Sequence, residues 1–194
     1  MRIIVDSREK WTQPNSDDTH ISDYFDRHGI EWFVRKLDCG DYQIDGDQSV
    51  SVDRKKSIDE LATNLLNRSD SCRFWREVRR AHAQGTKLIV LCECGGKYHN
   101  ANDLKYWRSK YSGVQGRRVL EELTRCEYAY GVLFRFCDRR STARIIIELL
   151  MQYSRNNTES NQRGIGHAKD KTKTKHNSGG GVNDRADRTT MDGR

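Results

Sequence analysis

Ser49-Val-Ser-Val-Asp-Arg-Lys-Lys-Ser-Ile-Asp-Glu-Leu-Ala-Thr-Asn-Leu-Leu-Asn-Arg68 decides how this chain folds. Ser49, Val50, Ser51 and Val52 alternate small and apolar side chains in the period-two pattern of a strand. The run then reaches Asp53-Arg54-Lys55-Lys56, a carboxylate followed by three cations, and passes at once into Ser57-Ile58-Asp59-Glu60. That tetrapeptide is a capping box, in which serine and glutamate satisfy the first helix amides. Ile58, Leu61, Leu65 and Leu66 give the following helix an apolar face. Upstream, Asp45-Gly46 reads as a hairpin turn, because such a turn needs positive φ. Gly40-Asp41-Tyr42-Gln43-Ile44 is then the partner strand of residues 49–53.

Working outward, strands and helices mix. Arg2–Asp6 reads as a short strand. Residues 21–28 form a helix closed by Gly29, with Asp17, Asp18 and Thr19 as candidate caps. A strand follows over 31–38. Beyond the capped helix, residues 70–84 form a second helix ended by Gly85, and 87–92 is a strand of buried type. A helix over 114–130 stops at Gly131, a last strand spans 132–137, and Ser141 caps a helix running to Tyr153. The order predicts an α/β domain, a mixed sheet flanked by helices. The apolar pattern ends at Tyr153. Residues 154–194 hold nine Lys or Arg against five Asp or Glu and little that is apolar. They are expected to form a disordered basic, polar tail after a domain over 1–153.

The 194 residues carry a formal charge of +7, and 32% of them are charged. Such a balance points to an anionic partner, most often nucleic acid, although a basic protein without one has the same balance. No apolar run is long enough to span a membrane. The apolar start, Ile3-Ile4-Val5, is too short for a signal peptide, so a cytoplasmic protein is expected, in the host cell's cytoplasm if phage-encoded. The six cysteines are read as reduced small hydrophobes; Cys92-Glu93-Cys94 has no second pair to complete a zinc site.

On a strand, residues two apart share a face, so Asp53 and Lys55 point one way and Val52 and Arg54 the other. Antiparallel pairing across the hairpin brings Asp41 toward Asp53. Two carboxylates and a lysine at a strand end can hold Mg²⁺ (or Mn²⁺) and orient a water for attack on a phosphodiester. On spacing alone a surface hairpin with solvated charges is the better fit.

Three ordered motifs extend this. Ile4-Val5-Asp6-Ser7-Arg8-Glu9, Gly40-Asp41-Tyr42, and Val52-Asp53-Arg54-Lys55 with Asp59 resemble the XPF-type nuclease domain of the PD-(D/E)XK superfamily, in its compact, phage-like form. Arg68 also matches, and the resemblance spans residues 2 to 153. It implies a restriction-endonuclease-like fold, with Asp41 and Asp53 as metal ligands and Lys55 as the catalytic lysine. Asp6, Arg8, Glu9, Arg54 and Asp59 would be supporting catalytic-site residues. The implied activity is metal-dependent cleavage of branched or flap DNA in repair, replication or recombination. The alternative is a weak or inactive DNA-structure-binding module of the same fold. The family usually has Glu where Asp53 stands, and the missing methylene retracts the carboxylate by about 1.5 Å.

For DNA contact, Arg73, Arg76 and Arg80 line one face of the helix over 70–84, and Phe74, Val78 and Ala81 another. With Arg68 they form a candidate phosphate-tracking stripe, or a solvated face. Trp11 is the tryptophan best placed to stack on a base. In the last helix, Ala143, Ile146, Ile147, Leu150 and Met151 share one side, and Ile145 and Leu149 lie opposite. Either a homodimer or the helix over 114–130 would cover that second side.

Overall fold

The computed structural model describes residues 1–9 and 19–154. The readings of Trp11, Asp17, Asp18 and the tail beyond Ser154 lie outside them. Six strands form one sheet: β1 (Arg2–Asp6), β2 (Glu31–Arg35), β3 (Tyr42–Ile44), β4 (Asp47–Lys55), β5 (Lys87–Glu93) and β6 (Leu133–Cys137). Their order is β2-β1-β3-β4-β5-β6. Only β3 runs against its neighbours; β1 is parallel to β2, and β4, β5 and β6 are parallel to one another. Five strands therefore point one way, and their carboxyl ends bring Asp6, Lys55 and Glu93 to one edge of the sheet. Ligands of α/β sheets gather at such an edge.

Five helices flank the sheet: α1 (His20–Arg27), α2 (Ile58–Leu66), α3 (Arg73–Gln84), α4 (Gly116–Tyr130) and α5 (Thr142–Tyr153). On one face Leu61, Phe74, Val78, Val119 and Leu123 of α2–α4 bury Leu88, Val90 and Cys92 of β5. On the other, α1 and α5 bury Ile3, Val5, Val50, Val52, Ile89 and Leu91. This is the mixed sheet with flanking helices that the sequence predicts. No helix among the described residues is long and apolar enough to cross a membrane.

Several boundaries differ from expectation. β2 stops at Arg35 rather than residue 38, because the Leu37 N–H turns inward to Asp6 Oδ2 at 2.7 Å. β4 runs from Asp47 to Lys55, so both Asp53 and Lys55 stand on it. At the head of α2, Ser57 Oγ accepts the Glu60 N–H at 3.1 Å, but the Glu60 carboxylate reaches one residue further back, to the Lys56 N–H at 2.8 Å. α3 begins at Arg73, not residue 70. α4 begins at Gly116, whose backbone lies so close to the Leu104 carbonyl that a Cβ would sit 1.7 Å from its oxygen. Ser141 does not cap α5; its hydroxyl donates to the Asp138 carbonyl at 2.8 Å.

The second side of α5 is covered from within in part. Leu149 is buried and Ile145 half-buried, in the core shared with α1. The cover comes from α1, because α4 lies across the sheet, where the sequence offered it as the alternative to a partner chain. The six cysteines are free. Burial pushes the thiols of Cys39 and Cys137 up to about 11 and that of Cys126 to about 12, which keeps them neutral.

Candidate active site

Gly40 opens the site. Its φ is +70°, and a Cβ there would meet Ser51 Oγ at 1.9 Å, so β3 approaches β4 this closely only with glycine. The approach seats Asp41 against the neighbouring strand. Its N–H donates to the Val52 carbonyl at 2.8 Å, and its Oδ2 accepts the Arg54 N–H at 2.8 Å. One residue back along β4, Asp53 points to the same face, and Lys55 Nζ lies 2.8 Å and 2.6 Å from its two carboxylate oxygens. Asp41 is 6% exposed, Asp53 2% and Lys55 7%, which rules out a hairpin of solvated surface charges. All three line a cleft of about 240 Å³, together with Glu9, Arg73 and Glu77.

The cleft lining interleaves five carboxylates (Glu9, Asp41, Asp53, Glu60 and Glu77) with five cations (Arg8, Arg54, Lys55, Lys56 and Arg73). Burial, and then the neighbouring Asp53 and Glu9, push the Asp41 carboxyl well above the ordinary carboxylate range. Burial and Asp53 raise Glu77 as well. Burial works against the Lys55 ammonium, yet Asp53 and Asp41 outweigh it and hold its pKa above the usual lysine value. Carboxylates that raise one another's proton affinity in a buried cleft are stabilised by a cation. Among the described residues no group of three or more His, Cys, Asp and Glu side chains is arranged to enclose a metal. Two carboxylates suffice for Mg²⁺, which is commonly held by one or two of them with water and substrate phosphates completing its shell. The donor set of Asp41 and Asp53 fits that ion.

The ERCC4 domain family model matches residues 5–149. The chain belongs to the ERCC4 domain family. No curated protein matches it in sequence. Among solved structures it is similar to XPF from Aeropyrum pernix, with a TM-score of 0.57 at 18% identity, over 86% of this chain and 72% of that one. It is also similar to XPF from the same organism in complex with DNA, with a TM-score of 0.54 at 22% identity, over 82% of this chain and 66% of that one. At these identities the likeness is one of fold.

Within this ERCC4 domain the other sequence-predicted residues divide. Asp6 is fully buried and takes Arg8 Nε at 2.6 Å, Arg8 Nη2 at 2.8 Å and the Leu37 N–H at 2.7 Å. Burial would raise its carboxyl, but these bonds hold it below the usual range. Arg54 points to the opposite face from Asp53. It bridges Glu9 at 3.2 Å and Glu93 at 2.7 Å, and Thr142 Oγ1 donates to the same Glu93 oxygen at 2.9 Å. This buried network ties β4 to β5 and α5, and its members Arg54 and Glu9 also line the cleft. Asp59 does not line the cleft; its Oδ1 accepts Ser109 Oγ at 2.6 Å.

The four candidate DNA-contact arginines also separate. Arg73 lines the cleft and Arg76 is exposed beside it on α3. The Arg80 guanidinium donates to the Asp38 carbonyl. Arg68 lies over the Trp75 ring at 4.9 Å and donates through Nε to Glu122 at 2.9 Å. Glu77 is a cleft residue outside the sequence-predicted set: it is buried, and its Oε1 accepts the Gly40 N–H. The signal was present, since Glu77 falls on the same helical face as Phe74, Val78 and Ala81.

Proposed function

We propose that this chain is a divalent-cation-dependent DNA endonuclease that hydrolyses phosphodiester bonds of branched or flap DNA in repair, replication or recombination, within the cytoplasm. What carries the reading is the burial of Asp41, Asp53 and Lys55 together in one cleft bordered by Arg73. Asp41 and Asp53 are the residues that would hold Mg²⁺ or Mn²⁺. When bound, such an ion supplies charge neutralisation for the scissile phosphate and a more acidic water. Lys55, held protonated by Asp53 and Asp41, acts as a fixed positive charge that stabilises the developing charge on the phosphate; it is not a general base at neutral pH. Arg54, with its guanidinium fixed by Glu9 and Glu93, holds through its N–H the orientation of Asp41. Arg73 and Arg76 approach the phosphate backbone, while Arg68, held over Trp75, and Arg80, held at the Asp38 carbonyl, would meet it from separate positions.

The complex of XPF with DNA, on the same fold, supports a DNA partner. A homodimer belongs to the reading too, but not through Leu149, which is in the core. Sedimentation at micromolar concentration decides it.

One observation favours the second reading, a DNA-structure-binding module without cleavage: Lys55 contacts both oxygens of the shortened Asp53 carboxylate. A single experiment separates the two. The full chain is incubated with flap, fork, four-way and linear DNAs in Mg²⁺, Mn²⁺ or EDTA. Cutting of branched forms that EDTA abolishes supports the nuclease; binding of those forms without cutting in either metal supports the module.

A further inference from the structure

Between β5 and the first turn of α4, residues 95–118 hold six cations, Lys97, Lys105, Arg108, Lys110, Arg117 and Arg118, against the single acid Asp103. No other part of the folded domain is so one-sided, and the catalytic motifs do not use it. The same segment exposes two aromatic rings, Tyr106 at 76% and Tyr111 at 89%. Lone exposed tyrosines are ordinary. These two differ because the backbone beneath them is fixed.

The segment is pinned from below and from the side. Leu104 and Trp107, one on each side of Lys105-Tyr106, are buried in the core under α4. Arg108 and Gln115 pair as an isolated bridge, and the Ser109 N–H donates to the Val114 carbonyl at 2.9 Å, closing a tight loop with Tyr111 near its tip. Ser109 Oγ accepts the Tyr111 and Ser112 N–H groups at 3.2 and 3.1 Å while donating to Asp59 at 2.6 Å. Asp59 stands in the first turn of α2, four residues after Lys55, so the loop is fastened to the element that leaves the cleft. Lys105 Nζ sits 4.7 Å from the centre of the Tyr106 ring, and Lys97 Nζ 5.4 Å from that of Tyr98.

We infer that residues 97–118 form a binding platform for single-stranded nucleic acid, with unpaired bases stacking on Tyr106 and Tyr111 and phosphates following Lys105, Arg108 and Lys110. Rigid exposed rings set among cations are what such strands require, since every base has a face to stack. Duplex DNA has its base faces covered, and an acidic peptide would use the cations but leave the rings without partners. The inference rests on the branched-DNA reading, for which it assigns the unpaired arm.

The test uses the full chain and a fluorescein-labelled oligothymidylate in EDTA, read by anisotropy, so that no cleavage is needed. Circular dichroism confirms folding of each variant. Tyr106→Ala with Tyr111→Ala weakens oligothymidylate binding by roughly five-fold or more per ring, whereas Phe at both positions retains it. Binding to linear duplex stays at the wild-type level. Tyr128→Ala, on a helix that carries Glu121, Glu122 and Glu127, is the control and changes nothing; Tyr128 is 96% exposed. The inference is overturned if wild-type protein does not bind oligothymidylate, if the double variant binds it normally, or if it loses duplex binding equally. Loss of poly-glutamate binding alone would assign the surface to an acidic protein and overturn it as well. A chain that cuts no DNA in Mg²⁺ fails the nuclease reading in a separate arm and leaves this measurement intact.

Discussion

Asp41 Oδ2 accepts the backbone N–H of Arg54 at 2.8 Å, across a sequence separation of 13. A side chain from one motif thus fixes the strand on which the other motif, Asp53 and Lys55, stands. The turn before β3 and the end of β4 therefore build the centre of the cleft together, and their residues answer to substitution as a set.

Asp41→Ala or Asp53→Ala removes cleavage while leaving DNA affinity near the wild-type value. Lys55→Ala slows it by roughly 10²–10³-fold, the usual loss for one fixed charge aimed at a transition state. Single-turnover cleavage and anisotropy, run on the same protein, read both quantities. Undiminished cutting by Asp53→Ala would remove Asp53 from the site.

Gly40→Ala forces a left-handed backbone on alanine and drives its Cβ into Ser51 Oγ. The cost is about 1–3 kcal/mol for the backbone and a similar amount for the crowding. Adding Ser51→Gly relieves the second part only, so the double variant recovers some of the lost denaturation midpoint but not all. Full recovery would mean that φ at position 40 is not constrained.

Stability of the metal-free domain falls as pH rises from mild acid. An unfolded aspartate loses its proton near pH 4, about the ordinary value, whereas folded Asp41 keeps its own to higher pH, as burial and Asp53 dictate. Between those pKa values the folded state holds more protons than the unfolded one, so unfolding becomes easier with rising pH. Asp41→Asn removes this dependence. The gap in melting temperature between variant and wild type should widen as pH rises above the ordinary aspartate pKa. Mg²⁺ should stabilise the wild type more than the variant. A gap that does not vary with pH would contradict the raised pKa.

Glu77→Ala leaves the Gly40 N–H buried without its acceptor, at a cost of about 1–3 kcal/mol, and loosens the turn that seats Asp41. Glu77→Gln keeps a carbonyl oxygen in place. Gln should therefore restore both the denaturation midpoint and the cleavage rate, while Ala lowers both. If Gln cuts as poorly as Ala, the charge of Glu77 matters and not its hydrogen bond.

Local signals carried much of the architecture. The Asp45-Gly46 turn, the Ser57 cap and the alternation in β4 each depend on neighbours in the chain, so they could be read directly. The clustering of Asp41, Asp53 and Lys55 followed from that hairpin. What stayed hidden depends on distant partners. β2 ends early because Leu37 turns to Asp6, and Asp59 leaves the cleft for Ser109, fifty residues on. Ser141 looked like a cap, but its hydroxyl found Asp138 first. Glu77 was visible on an apolar stripe, yet only the fold gives it Gly40 as a partner.

Along β4, Val50 and Val52 sit in the core beneath α1 and α5, while Ser51, Asp53 and Lys55 face the cleft side. Two kinds of information are therefore interleaved on one strand with opposite parity. Losses at the valines reduce how much folded protein exists, and losses at the aspartate and lysine reduce what each folded molecule does. Drift at the valine positions is limited by packing volume and leaves the chemistry alone. If the chain cleaves DNA as proposed, a lineage can lose that activity through a single change at Asp53 or Lys55 while the valine side of the strand stays packed.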